Sequence, residues 1–241
     1  MSFYQQIAPY YHHIFKINQD QIKFVQQKIN DKSSYLLDVG CGIGTLSFEL
    51  SHYYTQITGI DIDAEMIHYA LNKHDNTLNS LQFHQLSMLE LNQKFDKNLF
   101  QGIICFGNTL VHLNSLNAVA DFLNQSKSAL KLDGKLLLQM VNYDRILSQQ
   151  ITELPLIEND EIKFERYYHY KADENLIDFK TVLTVKSTLQ KIENKVILLP
   201  ILKSELEELL IKAGFKNYNF FGNFNGEIYN NDSLALIVEA W

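Results

Sequence analysis

Three glycines follow an apolar segment in the stretch YLLDVGCGIGTLSFEL, at residues 35–50. Gly40, Gly42 and Gly44 alternate with other residues, which lets the chain turn sharply and approach a ligand closely. Asp61 ends the next apolar segment, where a carboxylate can accept hydrogen bonds from ribose hydroxyls. The pattern predicts a site for a nucleotide-like ligand at a strand-to-helix turn.

The charge beside the glycines separates two classes of ligand. A dinucleotide places a pyrophosphate against such a loop, and Asp38, shortly before Gly40, would repel it. S-adenosylmethionine carries an ammonium and a sulfonium group and no phosphate, so an acid attracts it. Thr45 stands where a dinucleotide fingerprint has its third glycine. We therefore predict S-adenosylmethionine as the cofactor, and not NAD.

Short apolar segments alternate with helical patterns around this loop. Segments that are apolar on both faces and separated by helices predict a parallel sheet covered on both sides. The predicted strands are 35–39, 56–60, 81–86, 101–106, 135–141, 216–221 and 233–239. The predicted helices are 18–30, 45–54, 63–74, 115–130 and 204–214. Residues 160–200 predict extended antiparallel strands, with period-two alternation clearest over 177–185.

These elements predict an α/β fold with a doubly wound, mostly parallel sheet and a small β-rich insertion. We predict one domain over residues 1–241, whose core comprises 31–141 and 201–241. Residues 1–30 form an N-terminal helical gate in this prediction, and residues 142–200 form a substrate cap. Ligands in open α/β sheets bind beyond the carboxyl ends of the strands, so an insertion after the fifth strand can cover that site.

Composition limits the classes of partner. The chain has 28 acidic and 21 basic residues and a net charge of -7, which argues against broad binding to nucleic acids or membranes. Two cysteines are too few for a disulfide framework and are not spaced as a metal site, so we predict no metal. The sequence contains neither a signal-peptide pattern nor an apolar segment of about 20 residues, and we expect a cytoplasmic protein. Its oligomeric state is left open.

Five motifs along residues 36–141 resemble those of class I S-adenosylmethionine-dependent methyltransferases, in the family's order. They are LLDVGCGIGTLSFEL, GIDIDAEMI, FHQLSMLEL, GIICFGNTLVHL and LKLDGKLLLQ. The resemblance implies a seven-stranded Rossmann-like sheet with its last strand antiparallel, and transfer of a methyl group.

The resemblance also implies roles for individual residues. Gly40, Gly42 and Gly44 would line the methionine part of the cofactor, and Asp38 would lie near its ammonium group. Asp61 would hold the ribose hydroxyls. The other predicted cofactor contacts are Ile62 and Met66 beside the adenine, Ser87 and Met88 at its amino group, and Tyr11, Cys41 and Phe106.

The acceptor is less well defined by sequence. GNTL at 107–110 and NYD at 142–144 resemble segments of the glycine N-methyltransferases, but Met140 and Val141 replace that group's His-Arg pair, whose arginine grips the substrate carboxylate. Glycine is therefore not carried over as the substrate. Asn108-Thr109-Leu110-Val111 also lacks the Asn-Pro-Pro-aromatic pattern of some nucleic-acid amino-methyltransferases. These features favour a small-molecule acceptor methylated on nitrogen or oxygen.

Several residues are candidates for contact with the acceptor. Asn108, His112 and Tyr143 follow predicted strands at the ligand edge, where they could position the substrate or accept a proton. Tyr4, Arg145 and Arg166 are further candidates: the tyrosine for an aromatic contact with a cation, the arginines for a bidentate grip on an anion. Each also has a purely structural interpretation: the asparagine and histidine could cap a loop, the tyrosines could pack in the core, and the arginines could form surface ion pairs.

Two other functions remain open from the sequence. One is an RNA or protein methyltransferase, which the acidic balance disfavours. The other is a catalytically silent S-adenosylmethionine-binding protein with a regulatory role.

Overall fold

The structure is a computed structural model that describes residues 7, 10–14, 18–73 and 80–241. Its helices are α1 (Tyr11–Ile14), α2 (Gln19–Lys28), α3 (Thr45–Ser51), α4 (Ala64–Lys73), α5 (Leu91–Lys94), α6 (Leu116–Ala129), α7 (Tyr143–Ser148) and α8 (Lys203–Lys212). Short 3₁₀ turns lie at Met88–Glu90 and Leu110–His112. Its strands are β1 (Tyr35–Val39), β2 (Gln56–Asp61), β3 (Leu81–Gln85), β4 (Phe100–Cys105), β5 (Leu130–Val141), β6 (Ile157–Glu158), β7 (Ile162–Lys171), β8 (Leu176–Val185), β9 (Gln190–Leu198), β10 (Tyr218–Phe221) and β11 (Ala235–Ala240).

Seven strands form the main sheet, in the order β10-β11-β5-β4-β1-β2-β3. The pairs from β5 to β3 are parallel, whereas β11 runs antiparallel to both of its neighbours. This arrangement confirms the predicted fold class. The largest difference in bounds is at β5, which begins directly at the end of α6 and not at residue 135.

Alternate residues of the central strands pack on opposite faces of this sheet. Leu37 contributes to a cluster that includes Phe122 of α6 and Leu206 of α8. Leu36 contributes to a second cluster, which includes Phe24 of α2 and Leu50 of α3. Both faces are therefore covered by helices, as the doubly apolar strands require. Because β1, β2 and β4 are parallel, their carboxyl ends lie together at one edge of the sheet.

A second sheet of four antiparallel strands, β6-β7-β8-β9, lies within the predicted cap at 142–200. One end of its inner face packs on the main core through Tyr168, Ile177 and Leu198. The other end packs around Phe164 with Ile7 of the N-terminal segment. The bounds of the gate, core and cap remain a prediction. No helix in the described ranges is long and apolar enough to cross a membrane.

A buried charge cluster ties α2 to strands β11 and β5 of the main sheet. The Glu239 carboxylate on β11 lies 2.8 Å from Lys28 Nζ and 2.7 Å from Lys135 Nζ, and its side chain is only 4% exposed. Burial opposes the charge, but the hydrogen bonds from Lys135 and Lys28 outweigh it and lower the pKa of Glu239. The stabilisation is therefore present above the usual glutamate range and is lost as the pH falls through the lowered pKa.

We predict that Glu239→Gln lowers the free energy of unfolding by about 2–3 kcal/mol, because two partly buried lysines lose their shared counter-charge. Urea unfolding at neutral pH measures the change. The control is Glu193→Gln, whose pair with Lys180 has side chains that are 57% and 52% exposed, and which should cost much less. Equal losses for the two variants would contradict the structural role of Glu239.

Candidate functional site

The glycine loop connects β1 to α3, and protein acceptors already take up its backbone amides. The N–H groups of Gly40 and Cys41 donate to the Ile60 carbonyl at 2.8 and 2.9 Å. The Gly42 N–H donates to Asp61 Oδ2 at 2.9 Å, and the Gly44 N–H donates to the Cys41 carbonyl at 3.0 Å. A loop that binds a pyrophosphate points such amides at the ligand. This loop fits a cofactor without phosphate.

Positive φ angles at the three glycines explain why other residues would not fit. Gly42 has φ +55°, and a Cβ atom there would lie 2.9 Å from the Tyr11 hydroxyl. Tyr11 of α1 therefore covers the loop from the N-terminal side. Gly44, at φ +74°, packs against the Phe83 ring and does not line the cavity described below. This placement does not support the predicted direct contact of Gly44 with the cofactor. Gly44 instead shapes the turn on the side that faces Phe83.

Asp38 is a buried acid at the base of the loop, with a side chain that is 3% exposed. Burial raises the pKa of Asp38 to about 6, the Ser47 hydrogen bond at 2.5 Å opposes this, and the nearby Asp61 charge adds to it. At neutral pH the carboxylate is ionised with no cation in contact in the described structure. A bound ammonium group would supply the missing counter-charge.

The Asp61 carboxylate lies at the end of β2 and is fixed by two backbone amides. Oδ2 accepts from Gly42 and Oδ1 accepts from the Asp63 N–H, both at 2.9 Å. Each oxygen keeps a second lone pair, so the carboxylate can still accept from the two hydroxyls of a ribose. Burial raises the pKa of Asp61, as it does for Asp38.

An apolar slot suited to adenine continues from Asp61. Ile62 is 71% exposed although it is aliphatic, whereas Met66 of α4 is buried beside it. Ser87 caps the 3₁₀ turn: its hydroxyl accepts from the Leu89 N–H at 3.2 Å and keeps a second lone pair. Met88 follows at the same wall of the cavity.

A cavity of about 810 Å³ joins the loop edge of the main sheet to the inner face of the second sheet. All predicted cofactor residues except Gly44 line it: Tyr11, Asp38, Gly40, Cys41, Gly42, Asp61, Ile62, Met66, Ser87, Met88 and Phe106. Three predicted acceptor residues also line it, namely Asn108, His112 and Arg166. The structure thus brings residues from widely separated segments to one place.

Asn108 is held rigidly at the end of β4. It has φ +68°, which is uncommon for a residue other than glycine. Its Oδ1 accepts from the Val141 N–H at 3.0 Å, and its Nδ2 donates to the Tyr143 hydroxyl at 3.0 Å. One Nδ2 hydrogen remains for an acceptor atom in the cavity.

Tyr143 does not reach the cavity, which corrects the prediction that it contacts the substrate. The side chain is fully buried beneath Asn108, and burial raises its pKa far above the usual tyrosine range. The ring fills the core between α7 and the second sheet, 6.4 Å from the Tyr168 ring. Tyr143 is therefore a positioning residue for Asn108.

His112 and Cys41 are the candidate bases among the residues that line the cavity. His112 is exposed on one side, and desolvation by the protein on the other side lowers its pKa, so the imidazole is neutral at pH 7 and can accept a proton. Burial raises the pKa of Cys41, which keeps this thiol protonated. Histidine is thus the better base of the two. No group of His, Cys, Asp and Glu side chains in the described ranges could hold a metal ion.

Arg145 does not line the cavity at the glycine loop, which differs from the prediction. Arg145 lines a second cavity of about 490 Å³, which shares only Leu154 and Arg166 with the first. Tyr4 lies outside the described residues.

Sequence reasoning missed the wall that the second sheet contributes. Thr181, Asn194 and Phe179 line the cavity from β8 and β9. The period-two alternation of residues 177–185 predicted which residues share a face. It could not predict that this face, polar in part, would lie over the glycine loop.

Comparisons with known proteins agree with this geometry. Residues 30–214 match the family described as "Methyltransferase domain". Ribosomal RNA small subunit methyltransferase A from Wigglesworthia glossinidia brevipalpis is 26% identical over 83% of this chain and 75% of that protein. Glycine/sarcosine N-methyltransferase from Aphanothece halophytica is 26% identical over 85% of this chain and 74% of that protein.

A solved structure shows the same fold over the whole chain. The S-adenosylmethionine-dependent methyltransferase from Clostridium acetobutylicum superposes with a TM-score of 0.81, over 99% of this chain and 98% of that one, at 14% identity.

We predict that cofactor affinity falls on acidification because protons compete with the ammonium group for Asp38. Below the free-protein pKa of about 6, the association constant for S-adenosylhomocysteine should fall by up to about tenfold per pH unit. Calorimetric titration at a series of pH values measures this slope.

The control is Asp38→Asn, which keeps an acceptor for Ser47 and leaves Asp61 unchanged. It should flatten the slope near pH 6, weaken binding at neutral pH by about tenfold, and stabilise the free protein, because a buried charge with a raised pKa opposes folding. A slope that is the same in both proteins would refute the role of Asp38.

Proposed function

This chain belongs to the class I S-adenosylmethionine-dependent methyltransferases, and we propose that it methylates a nitrogen or oxygen atom of a small-molecule acceptor by direct in-line displacement. The observation that carries the proposal is the covered cavity. Its volume of about 810 Å³ must hold both the cofactor and the acceptor, and small-ligand sites span roughly 300–1,000 Å³. An acceptor of metabolite size fits this space beside the cofactor.

Residues of the main sheet would hold and orient the cofactor. Asp38 binds its ammonium group, Asp61 its ribose, and Ile62 and Met66 flank its adenine in this proposal. The cofactor supplies a methyl group on a sulfonium, from which an acceptor lone pair displaces a neutral thioether. Methyl transfer gains mainly from alignment and from exclusion of water, which the second sheet provides as a cover.

Asn108 and His112 would act on the acceptor side. The free Nδ2 hydrogen of Asn108 can bind an acceptor oxygen, and its other bonds, to Val141 and Tyr143, fix the direction of that hydrogen. His112 is neutral near pH 7 and can take the proton that an N–H or O–H acceptor loses.

A ribosomal RNA methyltransferase is among the relatives, so RNA is the second candidate acceptor. The charges in the cavity disfavour it. Three carboxylates, Asp38, Asp61 and Asp63, line the cavity, whereas Arg166 is its one arginine or lysine among the described residues. RNA binding requires basic side chains along the phosphate path.

We predict that the protein transfers labelled methyl groups from S-adenosylmethionine to the low-molecular-weight fraction of a cell extract. Ultrafiltration separates metabolites from macromolecules before the reaction, ribonuclease or protease treatment assigns any macromolecular label to RNA or to protein, and each fraction is counted separately. Asp61→Ala is the control, since losing two buried hydrogen bonds should weaken the cofactor complex by about 1–3 kcal/mol and reduce labelling.

Each other outcome identifies a rival function. Label in the RNA or protein fraction would refute a small acceptor. Tight binding of S-adenosylhomocysteine with no label in any fraction would indicate a catalytically silent binding protein.

A further inference from the structure

Three polar side chains form a row across the inner face of the second sheet. Arg166 on β7 pairs with Thr181 on β8, and Thr181 pairs with Asn194 on β9. All three line the cavity. Directly opposite residues in antiparallel strands have Cβ atoms about 5 Å apart, so the guanidinium, hydroxyl and amide can reach one small group. We call these three residues the roof row.

Apolar rows flank the roof row on both sides. Toward the main sheet lie Tyr168, Phe179 and Val196. Toward the N-terminal segment lies Phe164, which packs with Ile7 and Ile14. Polar groups confined to one row between apolar rows are typical of a site that recognises one polar end of a ligand.

Hydrogen-bonding capacity in this region is unused. Thr181 is 2% exposed, yet Thr181 Oγ1 has no hydrogen-bond partner in the described structure. Arg166 Nε is also buried without a partner. Buried polar atoms are normally paired, so two such atoms in one row beside the cavity point to a ligand that pairs them.

Arg166 is positioned but not neutralised. Its Nη2 donates to the Pro155 carbonyl at 2.6 Å, and its guanidinium carbon lies 5.8 Å from the centre of the Phe164 ring. These contacts fix the guanidinium plane. None of the ion pairs in the described ranges includes Arg166. A half-buried guanidinium without a carboxylate partner favours an anionic ligand.

Charge is separated across the cavity. The carboxylates of Asp38, Asp61 and Asp63 lie at the loop edge, and the positive charge of Arg166 lies on the opposite wall. The cationic end of the cofactor fits the first wall. A ligand with one negative charge fits the second, whereas a doubly charged phosphate would meet stronger repulsion from the three acids.

We propose that the roof row binds a carboxylate of the methyl acceptor, so that the substrate is a small carboxylic acid that carries the amine or hydroxyl to be methylated. This inference rests on the proposed function. The guanidinium and the Thr181 hydroxyl donate to the carboxylate oxygens, and the Asn194 amide donates at the far end of the row. The acceptor nitrogen or oxygen then points toward Asn108. Asn108 is hydrogen-bonded to Tyr143, and the Tyr143 ring lies beside Tyr168 in the row next to the roof row.

The test separates acceptors by charge before methyl transfer. The metabolite fraction of an extract from the source cells is loaded on an anion-exchange resin at high pH, where amino groups are neutral and amino acids are retained. Each fraction is then incubated with the protein and labelled S-adenosylmethionine. We expect label in the retained monoanionic fraction, and in a product that alkaline phosphatase leaves unchanged.

Two variants assign the site to the roof row. Arg166→Gln should reduce kcat/KM for the labelled acceptor by about 100-fold, because a charge-assisted pair is lost. Thr181→Val should reduce it by about tenfold without lowering Tm, because the hydroxyl has no protein partner to lose. Both variants should bind S-adenosylhomocysteine within about twofold of the unmodified protein by calorimetry.

Two controls match these variants. Arg145→Gln removes an arginine that lines only the second cavity of about 490 Å³, and Ser126→Ala removes another buried hydroxyl without a partner, on α6 and away from the cavity. Neither should change kcat/KM.

Other results would overturn the proposal. Label only in the unretained fraction, or in a product that alkaline phosphatase cleaves, would refute a carboxylate acceptor while leaving methyl transfer intact. A tenfold weaker S-adenosylhomocysteine complex in Arg166→Gln would assign the guanidinium to the cofactor. Unchanged kcat/KM in both variants would exclude the roof row, and no label in any fraction would refute the proposed function itself.

Discussion

The hydrogen bond from the Gly42 amide to the Asp61 carboxylate organises the cofactor side of the site. It joins the glycine loop after β1 to the end of β2 and uses the Gly42 amide that a phosphate would otherwise bind. The Asp63 amide, just beyond β2, fixes the second oxygen of the same carboxylate. The Ile60 carbonyl takes the amides of Gly40 and Cys41 in the same way. The loop is thereby closed to pyrophosphate and leaves a carboxylate ready for ribose. The buried charge of Asp38 then favours a cation beside it.

The second sheet completes a cavity whose two walls have opposite character. Acids lie on the wall formed by the main sheet, and one guanidinium lies on the wall formed by β7 to β9. Asn108 stands where the walls meet and is held by the buried Tyr143. A cationic methyl donor and an anionic acceptor would each find a complementary wall, with the reacting atoms between them. In this proposal the residues at the edge of the main sheet bind the cofactor, and the second sheet of the cap selects the acceptor.

Sequence alone predicted the main sheet and the glycine turn, because both depend on local signals, and the family resemblance identified most other residues that line the loop edge of the cavity. The strand β1 is an apolar segment, and Gly40, Gly42 and Asp61 occupy fixed positions relative to β1 and β2. Sequence could not predict that Tyr143 is buried or that Arg145 lines the second cavity, because both follow from how α7 packs under the second sheet. The roof row depends on the register of β7, β8 and β9, which links Arg166 to residues that are distant along the chain. Period-two alternation predicted which residues of one strand share a face of the second sheet. It did not predict which part of the protein that face would cover.

The charges at the glycine loop favour a nucleoside that carries an ammonium group and no phosphate. Calorimetric titration of the free protein with S-adenosylhomocysteine and, separately, with NADH tests it most directly, since both ligands carry an adenosine and only NADH carries a pyrophosphate. We expect binding of S-adenosylhomocysteine and no measurable binding of NADH under the same conditions. Tight binding of NADH without binding of S-adenosylhomocysteine would contradict it.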